Sequence, residues 1–307
     1  MAMGAILFWF TMGIGILLLG VYLLRSGLMA LSHSRLERFL RQATHTPWKG
    51  FIWGALATAL VQSSTATTVL TVGMVDSKAI SFYQGLSLIL GANVGTCLTV
   101  QLLAFDLQAL AWPAIILGTL FLIPRPSRAV GLSLWGCGLI FYALSLMSSA
   151  STPLRDSAVL PGFLTAASNS PWQALLVGTA FTALLHSSSA MTGIAMVLTA
   201  QGVVPLPGAL SIVLGANIGT CSTALVAALF SSRAAQRTAL ANLLINVAGA
   251  LIVLPFLYTV APLLSLASPN PARQVAHFHT LFNLLSSLVA LGLLKPLSAF
   301  LTWLVPD

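Results

Sequence analysis

The feature that most constrains this chain is an internal duplication. Gln62-Ser63-Ser64-Thr65 returns as His186-Ser187-Ser188-Ser189, 124 positions later, and the flanking residues keep that offset. Pro47-Trp48 matches Pro171-Trp172, Gly54 matches Gly178, and Gly91-Ala92-Asn93-Val94-Gly95-Thr96-Cys97 matches Gly215-Ala216-Asn217-Ile218-Gly219-Thr220-Cys221. A repeat of this length sets the architecture before any single element is read. It predicts two homologous halves, 1–127 and 128–258, with a C-terminal piece at 259–307.

The residues around these motifs decide the solvent. Hydrophobic side chains make up 58% of the chain and charged ones 6%, whereas roughly a quarter of a soluble domain is charged. That balance excludes an ordinary soluble fold and predicts an all-α integral membrane protein. The net charge of +8 is then assigned to cytoplasmic loops and not to a nucleic-acid partner. Cys97, Cys137 and Cys221 are odd in number and lie in apolar or motif segments, so they read as free thiols. The first 30 residues are too long and too continuously apolar for a signal peptide, and Arg25 sits at the wrong end for one. They read as a retained span.

Roughly 20 apolar residues at 1.5 Å rise cross a hydrocarbon core of about 30 Å. On that measure spans are expected at 5–30, 107–124, 129–149, 235–257 and 277–300. Arg35, Arg38 and Arg41, opposite Leu36, Phe39 and Leu40, predict a helix at 34–44 lying on the cytoplasmic surface. The stretches 48–75 and 172–201 each join two apolar pieces, too short to cross, through a polar break. They read as re-entrant hairpins, whose irregular backbone is tolerated only against protein or a wet cavity. The stretches 80–104 and 205–230 can span, but Gly-Ala-Asn-Val/Ile-Gly-Thr interrupts each and predicts a discontinuous helix. A loop with Pro153, Pro161 and Asn169 links the halves.

Charge orients this plan. With the N-terminus outside, Arg35, Arg38, Arg41, Lys49, Lys78, Arg125, Arg128, Arg233 and Arg237 are cytoplasmic, and only Arg155 and Arg273 are external. Each half then crosses three times, so the second is inverted relative to the first. Inverted-topology repeats are the usual plan of secondary transporters, with ligands at the midplane.

A helix beginning inside the membrane presents free N–H groups and a positive dipole end, which suit an anion. Hydroxyl lone pairs and the carbonyls of the preceding half-helix suit a hard cation. The expected site contains no Asp, Glu, Lys or Arg. An anion there would be balanced by co-bound cations, which implies coupling. Simpler readings exist: Ser and Thr can bond one turn back, and Gly-x-x-x-Gly packs helices. The joint recurrence of both motifs favours a binding site. Asn242 with Asn246, and His279 with Asn283, read as polar glue between helices, and Asp106 as a solvated helix end. His186 beside three serines has no acid partner for Ser-His chemistry, so neither an enzyme nor a cofactor is expected.

The paired motifs, together with His279-Thr280-Leu281-Phe282-Asn283, resemble the type II sodium-dependent phosphate cotransporter (Na/Pi symporter) family over nearly the whole chain. The resemblance implies sodium-coupled phosphate symport by alternating access in a bacterial inner membrane, with the N-terminus outside and the C-terminus cytoplasmic. Phosphate would be surrounded by Gln62, Ser63, Ser64 and Thr65 with His186, Ser187, Ser188 and Ser189. Sodium would fall to Gln62, Asn93, Thr96, Ser187, Asn217, Thr220 and Thr223. The family has Gln where this chain has His186, a group able to titrate near neutral pH, so His186→Gln is expected to flatten any pH dependence of uptake. Some bacterial members carry a soluble C-terminal domain; this chain stops at Asp307. Transport of another oxyanion, phosphate export and a passive anion channel are the alternatives, and no oligomeric state is assigned.

Overall fold

The computed structural model describes residues 3–43, 46–105, 108–151 and 170–306, and these are helical throughout, with no strand. Among the described residues six stretches are long and apolar enough to cross a membrane: Ala5–Leu31, Phe82–Leu103, Arg125–Ala150, Leu206–Ala228, Arg233–Ala267 and Pro271–Gly292. Leu17, Leu88, Leu90, Met147, Leu210 and Leu214 are fully buried between helices. Trp112, Ile123, Leu184 and Leu266 face outward, as apolar side chains do where the surroundings are lipid.

Helix α1 (Met3–Ala43) packs along α6 (Arg128–Ser151) through glycines seven residues apart. A Cβ on Gly20 would stand 3.0 Å from the Gly136 carbonyl, and one on Gly27 2.5 Å from the Ala129 carbonyl. Only the missing side chains permit this approach. The backbone of α1 runs on to Ala43, so the separate surface helix expected at 34–44 is a continuation of α1, its side chains lying outside the described ones. Asp106, Arg155 and the loop with Pro153, Pro161 and Asn169 are also outside the described residues.

Helices α2 (Pro47–Val61) and α3 (Ser64–Asp76) are separated by two residues, each a cap. Gln62 closes α2 in the left-handed region (φ 56°, ψ 31°), donating its N–H to the Thr58 carbonyl at 2.7 Å. Ser63 is extended, and its Oγ accepts from Ala66 N at 3.1 Å to start α3. The second half builds the same joint between α7 (Pro171–Leu185) and α8 (Ser188–Ala200), with His186 left-handed and Ser187 accepting from Ala190 N at 3.3 Å. Each polar run is thus a C-cap followed at once by an N-cap.

The turn after α3 carries a second left-handed residue, Lys78 (φ 58°), where the second half has Gly202 (φ 69°). A side chain in that region costs about 1 kcal/mol. Lys78→Gly is therefore expected to raise stability by up to about 1 kcal/mol, read as a higher unfolding midpoint in detergent; an unchanged midpoint would mean the strain is relieved elsewhere. Beside this turn the Asp76 carboxylate accepts the Ser232 N–H at 2.6 Å, which holds its pKa below the ordinary carboxylate value.

Helices α4 (Phe82–Leu103) and α9 (Leu206–Ala228) run without interruption through their Gly-Ala-Asn motifs, which corrects the expected discontinuous helices. The glycines are there for contact. A Cβ on Gly91 would stand 1.9 Å from the Phe51 carbonyl of α2, and one on Gly215 2.0 Å from the Leu175 carbonyl of α7. Gly54 and Gly178 reciprocate from the other side, at 2.1 Å from Leu88 O and 2.2 Å from Ile212 O.

Other boundaries also move. In place of a span at 107–124 stands α5 (Ala111–Leu122), whose 12 residues reach about 18 Å. Among the described residues α5 is thus an apolar helix shorter than the span expected there, beside six stretches long enough to cross a membrane. Past α10 (Arg233–Val253), a turn with Pro255 leads into α11 (Leu257–Ala267), so the apolar stretch exceeds the expected 235–257. The single C-terminal span expected at 277–300 is two helices, α12 (Pro271–Gly292) and α13 (Leu294–Leu304). Pro296 sits in the first turn of α13, the position proline tolerates.

Candidate functional site

The starts of α3 and α8 meet at a small cavity lined by Ser64, Thr65, Thr68, Asn93, Thr96, Ser188, Asn217, Thr220, Ala224, Asn242 and Asn283. Both helices of each joint contribute through caps: because Ser63 and Ser187 satisfy the third N–H of the next helix, the first N–H groups, at Ser64 and Ser188, carry no intrahelical bond. The middle of α4 and α9 supplies Asn93, Thr96, Asn217 and Thr220, and α10 and α12 supply Asn242 and Asn283. The cavity is about 10 Å³, room for one water-sized body. A tetrahedral oxyanion is larger, so admitting one requires the lining helices to part.

The hydrogen bonds leave a particular set of atoms over. Asn217 Nδ2 donates to Val213 O at 2.9 Å, Asn283 Nδ2 to His279 O at 2.9 Å, and Asn93 Nδ2 to Asn242 Oδ1 at 3.1 Å. Asn246 Nδ2 also donates to Asn242 Oδ1, at 3.2 Å. Thr96 and Thr220 donate one turn back, to Ala92 O and Ala216 O. At least one amide N–H of each of Asn93, Asn217 and Asn283 is thereby committed to protein, while their Oδ1 atoms accept nothing from the described residues. Neutral oxygens with spare lone pairs are the ligand type a hard monovalent cation takes. The two helix N-termini at the same cavity favour negative charge. Among the described residues no cluster of His, Cys, Asp or Glu could hold a metal ion.

The expected residues divide. Ser64, Thr65, Ser188, Asn93, Thr96, Asn217 and Thr220 line the cavity; Gln62, Ser63, His186, Ser187, Ser189 and Thr223 do not. Ser63 and Ser187 are N-caps. Gln62 is buried with its Nε2 donating to Ala59 O. His186 is exposed, with Nδ1 2.8 Å from Thr223 Oγ1. The positions equivalent to that pair, Gln62 Oε1 and Thr99 Oγ1, are buried without a partner. His186→Gln is accordingly expected to keep the ligand KM within about twofold, since a rim contact contributes little; a larger shift would bring His186 into the site.

Sequence reading missed Thr68 and ranked helix gluing above ligand contact for Asn242 and Asn283. The structure gives both asparagines two roles, joining helices and lining the cavity. Their four-residue spacing with Asn246 and His279 was the visible signal, but spacing does not say which way a face turns. No charged side chain lines the cavity, but one lies against the breaks. Arg25 of α1, partly buried, donates from Nε to the Gln62 carbonyl at 3.2 Å and from Nη2 to Ser187 Oγ at 3.4 Å, so a cation touches both breaks.

Similarity to known proteins gives the family of the chain. The family model described as Na+/Pi-cotransporter matches residues 16–149 and 156–295. The uncharacterised protein YqeW of Bacillus subtilis is 37% identical over 303 residues, 98% of this chain and 99% of YqeW. YjbB of Escherichia coli K12, named for inorganic phosphate export, is 33% identical over 96% of this chain, which spans 55% of YjbB. Sodium-dependent phosphate transport protein 2B of the rat is 33% identical over 132 residues, 41% of this chain and 18% of that protein. No solved structure matches the chain significantly. With a family match over most of its length and a relative aligned end to end, the chain belongs to the Na+/Pi-cotransporter family.

Proposed function

We propose that the protein carries inorganic phosphate across a bacterial inner membrane in symport with sodium. Members of its family are multi-pass membrane transporters, not enzymes. The observation that carries the finer reading is the cavity where the N-termini of α3 and α8 meet uncommitted amide oxygens of α4, α9 and α12. Sodium is held there by Asn93, Thr96, Asn217 and Thr220 with Asn283. Phosphate binds at the half-helix starts through Ser64, Thr65 and Ser188, with Gln62, Ser63, Ser187 and Ser189 shaping the caps behind them. Each ion lowers the cost of the other's charge in a site shielded from water.

In this reading the two joints are re-entrant hairpins of inverted repeats, the N-terminus is outside, and the repeats rock about the cavity to expose it alternately. The small size of the cavity, about 10 Å³, is in keeping with a contracted state between the two openings. The test is phosphate uptake into proteoliposomes under an inward sodium gradient, with potassium and sulfate controls. Phosphate flux indifferent to sodium would remove the coupling. A second reading, export, is favoured by the 33% identity to YjbB over 96% of this chain. Reversing the sodium gradient across right-side-out vesicles separates the two directions.

A further inference from the structure

Arg25 lies within the apolar stretch Ala5–Leu31, where a guanidinium is expensive unless something answers its charge. No described carboxylate does so; the guanidinium has only the carbonyl end of α2 and a serine hydroxyl. Arg25 forms no ion pair among the described residues, and its two hydrogen bonds, at 3.2 and 3.4 Å, go to a neutral carbonyl and a neutral hydroxyl. A guanidinium has five N–H donors in a planar fork. Nη1 has no hydrogen-bond partner among the described residues, so the fork is only partly used.

The direction of the side chain is fixed. Gly20 and Gly27 press α1 against α6, and Arg25 lies roughly opposite them around the helix. That rotation presents it to both breaks at once, to the C-cap of one joint and the N-cap of the other. The carbonyl it engages ends α2, and the hydroxyl it engages starts α8, whose next residue, Ser188, lines the cavity.

We propose that Arg25 is an anion-recognising residue of the transport site. The Gln62 carbonyl and Ser187 hydroxyl hold its guanidinium in place while the cavity is closed, and the fork turns to phosphate oxygens when the breaks part. An Arg fork matches two oxygens of a phosphate, and this partner would also supply the missing counter-charge. The inference rests on the phosphate reading of the same site and adds a fixed positive charge to a set of neutral ligands.

The experiment measures phosphate KM and maximal rate in proteoliposomes, and the phosphate-induced rise in unfolding midpoint, for the wild type, Arg25→Lys and Arg25→Gln. Arg25→Gln should raise KM by about ten- to a hundredfold, the loss of a charged hydrogen-bond partner, and abolish the phosphate-induced rise. Arg25→Lys keeps the charge without the fork and should fall between. An unchanged KM with a lowered maximal rate would overturn the proposal and make Arg25 a latch between the two joints. Should Arg25→Gln fail to fold, Arg25→Lys decides alone, since a KM equal to wild type contradicts the fork. A wild type that neither binds nor moves phosphate overturns the functional reading itself and this inference with it.

Discussion

Gly91→Ala and Gly215→Ala are each expected to lower stability by at least about 3 kcal/mol, enough to remove a large share of a fold's total of about 5–15 kcal/mol. A single methyl is large here because of what it meets. The added Cβ would stand 1.9 Å from the Phe51 carbonyl oxygen in one case and 2.0 Å from the Leu175 carbonyl oxygen in the other. Ordinary contact needs about 3.5 Å. The neighbour is helix backbone, which has no rotamer to change, so α2 must move off α4, or α7 off α9. Moving either one would drag Gln62-Ser63 or His186-Ser187 out of place, because the same short helix ends in the break. Gly73→Ala is the control, with nothing within 4 Å of its Cβ, and should be neutral or slightly stabilising. The check is the unfolding midpoint of the purified protein in detergent; Gly91→Ala melting with Gly73→Ala would show that the helices are not in close contact.

Ser64→Ala and Ser188→Ala should do the reverse, sparing the fold and weakening transport. Each hydroxyl lines the cavity, and neither makes a hydrogen bond to the described residues. Deleting it therefore breaks no bond that holds a helix. A hydrogen bond to a charged ligand is worth about 1.5–3 kcal/mol, so each substitution should lower kcat/KM for phosphate by roughly ten- to a hundredfold. The preceding serines give the contrast. Ser63→Ala and Ser187→Ala remove N-caps, each worth about 1 kcal/mol, and should lower the unfolding midpoint. Adjacent residues in one motif are thus expected to separate by assay. Transport undiminished in Ser64→Ala and Ser188→Ala would make the whole motif structural.

Much of this was legible in the sequence because its signals are local. The 124-residue offset, the apolar lengths and the polar breaks depend on covalent order and on the cost of bare backbone in lipid. So does the agreement of Ser64, Ser188, Asn93 and Asn217 as candidates, since their types repeat with their spacing. The discontinuous helices were misread for a physical reason. Gly-Ala-Asn-Val-Gly weakens a helix and also lets another helix approach, and composition does not say which effect wins. Close packing against α2 and α7 decided it.

The sequence by itself therefore determined a membrane protein of two related halves and the polar residues available to a site. Only the tertiary structure decided which of them share a cavity. Asn242 and Asn283 lie on helices that carry no repeated motif, and they reach the cavity because α10 and α12 pack against α4 and α9. Arg25 is 37 residues from Gln62 and 162 from Ser187. Its position follows from glycine contacts that set the rotation of α1. A hydrophobic pattern specifies that a helix is buried, but its rotation and its neighbours are set by packing between segments distant in the chain.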